Sequence, residues 1–239
     1  MLLITVVGGA LWGAIAGLFV PRAAYRLSVA PGEAWRAECP DGHPLGGWAG
    51  LARCPRGDRF GPRGLSVALA TALVCAALAA ATGPRPELAV WLLLAPFGVL
   101  LAVVDFGVHR LPDVLTLPLA VAALVLLAGA ALLPEHGGSW PHALYGALAL
   151  GGAYFVLFLI SPNGMGFGDV KLTLSLGAAL GWYGWGVVLL GAFAGFLLAA
   201  LYGAGLVVAR RAGRRTAIPF GPFLIGGAFV GLLVGAYAA

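Results

Sequence analysis

The chain has 239 residues, 61% of them hydrophobic and only 10% charged, with a mean hydropathy of +0.98. It has too little polar surface to cover itself in water, so a soluble domain is excluded and its solvent must be largely lipid. The net charge of +5 does not indicate a nucleic-acid partner, because no basic–aromatic surface pattern accompanies it.

Spanning the hydrocarbon takes about 20 apolar residues per helix. The sequence predicts an all-α polytopic membrane bundle of about eight helices, over 1–20, 65–82, 87–104, 114–133, 140–160, 170–183, 185–208 and 217–237. The first segment reads as a retained helix and not a signal peptide, since no Lys or Arg precedes Arg22. Residues 21–64 form a long polar loop, and 65–239 the transmembrane core. The sixth helix is the shortest and is interrupted by Gly177 and Gly181.

Basic residues set orientation, because Lys and Arg are retained on the cytoplasmic side. With the N-terminus outside, the first internal loop holds Arg22, Arg26, Arg36, Arg53, Arg56, Arg59 and Arg63. The later internal loops and their edges hold Arg110, Lys171, Arg210, Arg211, Arg214 and Arg215. Thirteen of the fourteen Lys and Arg then lie inside, and only Arg85 lies outside. Small residues recur at four-residue spacing as Gly9, Gly13 and Gly17 in the first helix and as Gly227, Gly231 and Gly235 in the last. Gly191 and Gly195 form a further pair. Such spacing lets helices approach closely; packing within the chain is the expectation, and dimerisation through one of these faces the alternative. The oligomeric state is not legible. No internal repeat of the transporter kind is visible.

The nine acids sort by position. Glu33, Glu38, Asp41 and Asp58 share the first loop with the arginines, and Glu87 and Glu135 fall in short external loops. Asp105, Asp113 and Asp169 sit at cytoplasmic helix ends, where an acid at membrane depth marks a functional site by default. Asp113, after Pro112, begins a helix and reads foremost as an N-terminal cap. Asp105 closes an apolar run at a helix C-terminus, where the dipole disfavours a negative charge; an ion pair with His109 or Arg110 is the bland explanation. Asp169 follows Gly164, Gly166 and Gly168, which permit unusual backbone angles and leave room for another chain; an N-cap is again the alternative. Two carboxylates sharing a proton can activate a water, one as base while the other donates to a carbonyl oxygen. That chemistry needs no metal, thiol or serine. Cys75 lies within an apolar helix and Ser161 has no evident base.

Three segments, "VDFGVHRLPDVLTLP", "GMGFGDVKL" and "IPFGPFLIGG", occur in order, each beside a membrane helix. Together they resemble the type IV prepilin peptidase family, membrane aspartic proteases of the G-x-G-D class, and the resemblance runs from about Leu88 onward. "GLFVPRAAYRL" is a looser match to the end of that family's first helix. The resemblance implies that Asp105 and Asp169 are the catalytic pair, with Asp113, Gly166, Gly168 and Lys171 in support. It also implies cleavage, after a glycine, of a short basic leader from prepilins or pseudopilins at the cytoplasmic face of the plasma membrane. Lys171 and the arginines at 210–215 are expected to contact lipid or set orientation.

Many members of that family also methylate the new N-terminus with S-adenosylmethionine and carry a loop with paired C-x-x-C motifs that bind zinc. Here "CPDGHPLGGWAGLARCPRGDRFGPRG" keeps only Cys39 and Cys54. His43 and Asp58, four residues after each cysteine, could form an N/O/S2 set with them, at an unusual spacing. Structural zinc favours complete Cys/His sets, so the expectation is a loop without metal, with methylation in doubt. A Cys39–Cys54 disulfide is disfavoured in a reducing compartment. Presenilin-type proteases share G-x-G-D, but Val104 precedes Asp105 and "PFGP" is not their signature. The alternative from another class is an ion-translocating or transporter-like bundle using Asp105 and Asp169 as proton or cation ligands. A family member that only escorts pilins is a further alternative.

Overall fold

The computed structural model describes residues 1–30, 32–54, 57, 59–162, 164–210 and 218–239. Arg56, Arg211, Arg214 and Arg215 of the predicted basic loops, and Asp58 of the predicted ligand set, lie outside the described residues. Among the described residues the chain is helical, with two isolated antiparallel bridges and no strand. Eight helices occur in order: α1 Leu2–Leu27, α2 Gly64–Thr82, α3 Glu87–Val108, α4 Asp113–Ala131, α5 Trp140–Ile160, α6 Phe167–Trp182, α7 Trp185–Val208 and α8 Gly221–Ala238. Seven are long and apolar enough to span a membrane; the exception is α6, with 16 residues. Large apolar side chains such as Leu65, Val121, Leu189 and Phe193 stay exposed on the helices, which only lipid makes favourable. The chain is a multi-pass membrane protein.

The chain falls into two compact units, Met1–Pro112 and Asp113–Ala239. In the first, α1 packs on α2 and α3, and α2 on α3. The α1 glycines serve this packing: a methyl group at Gly13 would lie 2.6 Å from the Thr71 carbonyl oxygen, and one at Gly17 would lie 2.7 Å from Ala68 Cα. Helix α1 also runs to Leu27, seven residues past the predicted end and through Pro21. The loop secures that extension. Arg22 donates to the carbonyls of Gly46 and Leu51, and Arg26 donates to Gly47 and stacks 4.2 Å from the Trp48 ring.

The acid Glu87 also departs from expectation. Predicted in an external loop, it opens α3 fully buried, with Arg85 at 3.7 Å. A local partner two residues away makes such burial tolerable.

In the second unit α6 is central, packing against α4, α5, α7 and α8. Its last turns are small and buried, and Gly177 brings α5 so near that a methyl group there would lie 2.9 Å from Ala147 Cα. The α8 glycines likewise meet α7 and α6 within the chain, with a methyl group at Gly231 lying 3.1 Å from Gly191 Cα.

Candidate active site

Asp105 occupies the last turn of α3 and is 4% exposed. The helix ends beyond it on His109, which adopts the left-handed conformation (φ 52°) and donates its N–H to the Asp105 carbonyl at 2.9 Å. A left-handed residue with a Cβ costs about 1 kcal/mol or more, so this turn is held by its surroundings. Arg110 is part of them: its guanidinium donates to the Ala30 carbonyl at 3.0 Å, tying the end of α3 to the chain leaving α1.

Asp169 is the third residue of α6 and is 6% exposed. The first N–H groups of a helix have no partner within it. Here the Gly166 N–H donates to Asp169 Oδ2 at 3.3 Å, and the Asp169 N–H donates to the Gly166 carbonyl at 3.0 Å. The carboxylate therefore reaches back from inside the first turn, where a simple cap would stand before it. The preceding glycines are not there for left-handed backbone, because Gly164, Gly166 and Gly168 are absent from the positive-φ positions and Gly166 has φ −72°. At Gly164 a methyl group would lie 2.7 Å from the Ser161 hydroxyl oxygen, whereas one at Gly166 would meet nothing nearer than Asp169 Oδ2, at 3.6 Å, so the surroundings of Gly166 are open.

Tyr154 of α5, which no sequence signal singled out, is 2% exposed and stacks on Phe196 at 5.6 Å between ring centroids. Its hydroxyl has no hydrogen-bond partner among the described residues and lies within electrostatic range of Asp169. A tyrosine inside an apolar helix reads as core, so only the fold reveals it.

Asp113, the first residue of α4, holds Lys171 of α6 in an ion pair of 2.7 Å, and the Lys171 ammonium also lies 4.8 Å from the centre of the Phe167 ring. Lys171 is thus engaged inside its own unit. Of the predicted site residues, Asp113, Gly166, Gly168, Asp169 and Lys171 belong to the second unit and Asp105 to the first.

The cysteine loop makes two tight turns, each bearing one thiol. Glu38 bridges Pro44 around the first, and Arg53 bridges Arg59 around the second. Gly42 N–H donates to the Cys39 carbonyl and Gly57 N–H to that of Cys54, both at 2.9 Å, and both glycines have positive φ. The two sulfurs lie 3.4 Å apart, and His43 Nδ1 is 3.6 Å from Cys39 Sγ and 3.2 Å from Cys54 Sγ. Asp41 brings a carboxylate oxygen to the group, with all four donor atoms within 4.8 Å of one another. The acid gathered with them is Asp41; Asp58 of the expected set lies outside the described residues. Burial pushes the Cys39 thiol upward, but hydrogen bonds with the His43 backbone, the Cys54 thiol and the His43 ring bring it down to about 7.

Residues 92–235 match the type IV leader peptidase family. The chain is 38% identical to a prepilin leader peptidase/N-methyltransferase of Aeromonas hydrophila, over 71% of this chain and 57% of that protein. It is 33% identical to one of Pseudomonas aeruginosa (80% and 63%), and 34% identical to one of Escherichia coli strain K12 (66% and 70%). The match thus spans little more than half the length of the Aeromonas relative. No solved structure matches the chain.

Proposed function

Because the chain belongs to the type IV leader peptidase family, we propose that it is a membrane aspartic endopeptidase. In this reading it removes the basic leader of prepilin or pseudopilin precursors at the cytoplasmic face of the plasma membrane, with its N-terminus outside. Asp105 and Asp169 are the catalytic carboxylates. One accepts a proton from the attacking water, and the other, carrying a proton, donates it to the scissile carbonyl oxygen. The resulting tetrahedral intermediate collapses with proton transfer to the leaving amine.

The observation that carries this reading is the burial of both acids at helix ends of an apolar bundle. Carboxylates are seldom retained in such surroundings without chemistry to do. Gly166 orients Asp169 through its N–H, and the open space beside Gly166 admits an extended substrate. Tyr154 and the Asp113–Lys171 pair position the start of α6. The basic leader stays on the side where the arginines are retained, while the apolar remainder of the pilin stays in lipid. Methylation of the new N-terminus would draw on S-adenosylmethionine.

Co-expression with candidate pilin precursors tests the proposal, with mass spectrometry of the products. Leader loss in the wild type, abolished in Asp105→Asn and in Asp169→Asn at normal membrane levels, is the expected result. An added mass of about 14 Da, one methyl group, would identify methylation. Cleavage that survives either substitution overturns the two-carboxylate mechanism.

A further inference from the structure

We propose that the loop between α1 and α2 binds one zinc ion through a mixed set: Cys39, Asp41, His43 and Cys54. The four-cysteine arrangement implied by the family resemblance is absent from this chain, so the argument rests on the donors present. Tetrahedral zinc, with bonds of about 2.3 Å to sulfur and 2.0 Å to nitrogen, spaces two sulfurs about 3.8 Å apart and a sulfur and an imidazole nitrogen about 3.5 Å apart. The loop already holds these pairs at 3.4, 3.6 and 3.2 Å. A disulfide would use the two sulfurs and leave the imidazole without purpose, whereas a tetrahedral site uses all of them. Two thiolates, an imidazole and a carboxylate form a donor set suited to zinc over the hard cations.

The local fold supplies these donors cheaply. Cys39 and His43 are the two ends of one glycine-closed turn, and Asp41 sits at its tip. Cys54 enters from the second turn, beside Ala52 and Phe60. The ion would therefore join two turns that otherwise share only a small apolar cluster, and fix the platform to which Arg22 and Arg26 anchor α1. Asp41 is the most exposed of the four donors, which makes it the exchangeable ligand.

Cobalt titration of the full chain in detergent, with thiols kept reduced, tests the assignment without any activity assay. One cobalt per chain with thiolate charge-transfer absorption is expected, displaced by zinc. Cys54→Ser should roughly halve that absorption. Asp41→Asn should weaken the metal about tenfold or more, while Asp58→Asn leaves it unchanged; circular dichroism verifies that each variant is folded. Absence of charge-transfer absorption in reduced protein overturns the site. Weakening by Asp58→Asn with Asp41→Asn silent overturns the fourth ligand.

A separate observation carries a second inference: we infer that an anionic phospholipid seats its headgroup on Arg53, Arg59 and Arg63. These three line one cleft of about 860 Å³ together with Leu18, Leu65 and Leu69 of α1 and α2. Among the described residues none of the three arginines is in an ion pair. The start of α2 at Gly64 has no side-chain cap, so its N–H groups add to the positive field. Leu65 and Leu69 are 72% and 56% exposed, and with the arginines they line the same cleft, offering an acyl chain apolar surface there. A soluble anion has no use for that surface, and a basic leader peptide is repelled by the arginines.

Thermal stability in nanodiscs of phosphatidylglycerol against phosphatidylcholine, with inorganic phosphate as a third arm, tests this inference. Lipid retained after extraction is read by native mass spectrometry. Phosphatidylglycerol alone should stabilise and be retained, with each arginine replaced by glutamine weakening retention about fivefold, and Arg210→Gln having no effect. Equal stabilisation by inorganic phosphate, or equal loss in Arg210→Gln, overturns it.

Discussion

The end of α3 and the beginning of α6 carry the same side chain in opposite electrostatic settings. Asp169 lies where backbone N–H groups point outward, and it takes one of them, from Gly166. Asp105 lies in a last turn, near carbonyl ends, and its own carbonyl is engaged by His109. A helix start favours a carboxylate by about 0.3–1 kcal/mol and a helix end opposes it by a similar amount. The two acids of the proposed mechanism are therefore built to be unequal, and their supports differ. One is held by a strained closing residue and Arg110, the other by a glycine N–H, a buried tyrosine and a central helix.

Substitutions can break or sharpen that contrast. The largest effect belongs to the acids themselves: Asp105→Asn and Asp169→Asn should each lower the rate of leader cleavage by about 10²–10⁴-fold or more, in a time-resolved precursor assay. Next comes the packing that sets α6 in place. Gly177→Val forces a side chain against the backbone of α5 and should cost about 1–3 kcal/mol, read as a lower melting temperature in detergent. Gly166→Pro is the sharper instrument. Proline accepts φ −72° but removes the N–H, sets its ring against the Asp169 carboxylate and restricts Met165, so cleavage should fall about tenfold or more, with Gly166→Ala within about twofold of wild type. If both behave alike, the N–H is not what supports Asp169. The smallest effect is expected from Lys171→Met. The pair it breaks has a largely exposed partner, 62% at the Asp113 side chain, and exposed pairs contribute about 0–1 kcal/mol. A double-mutant cycle with Asp113→Asn measures that coupling.

The fold was largely legible because a membrane demands long apolar runs, and each of the eight found its helix. What escaped were features set by partners distant in sequence or hidden by local pairing. Helix α1 passes Pro21 because loop carbonyls 24–29 residues away receive Arg22. Glu87 is buried because Arg85 accompanies it. In the loop, cysteines and histidine were legible as donors; Asp58, to which equal spacing pointed, lies outside the described residues, and the turn at Gly42 adds Asp41 to the group. Tyr154 carried no signal, since a tyrosine in an apolar helix has the same pattern whether or not an acid faces it. The acids at the helix ends stood out because hydrocarbon makes every charge conspicuous.

The shortness of α6 has a consequence for where water can be held. Sixteen residues rise about 24 Å, some 6 Å less than the hydrocarbon thickness of about 30 Å. Because this helix packs against α4, α5, α7 and α8, the missing turn falls among protein and not in lipid, and non-helical backbone at membrane depth is tolerated where protein or a watery cavity satisfies it. Water held there would serve the proposed hydrolysis as its nucleophile, in surroundings whose hydrocarbon carries almost none.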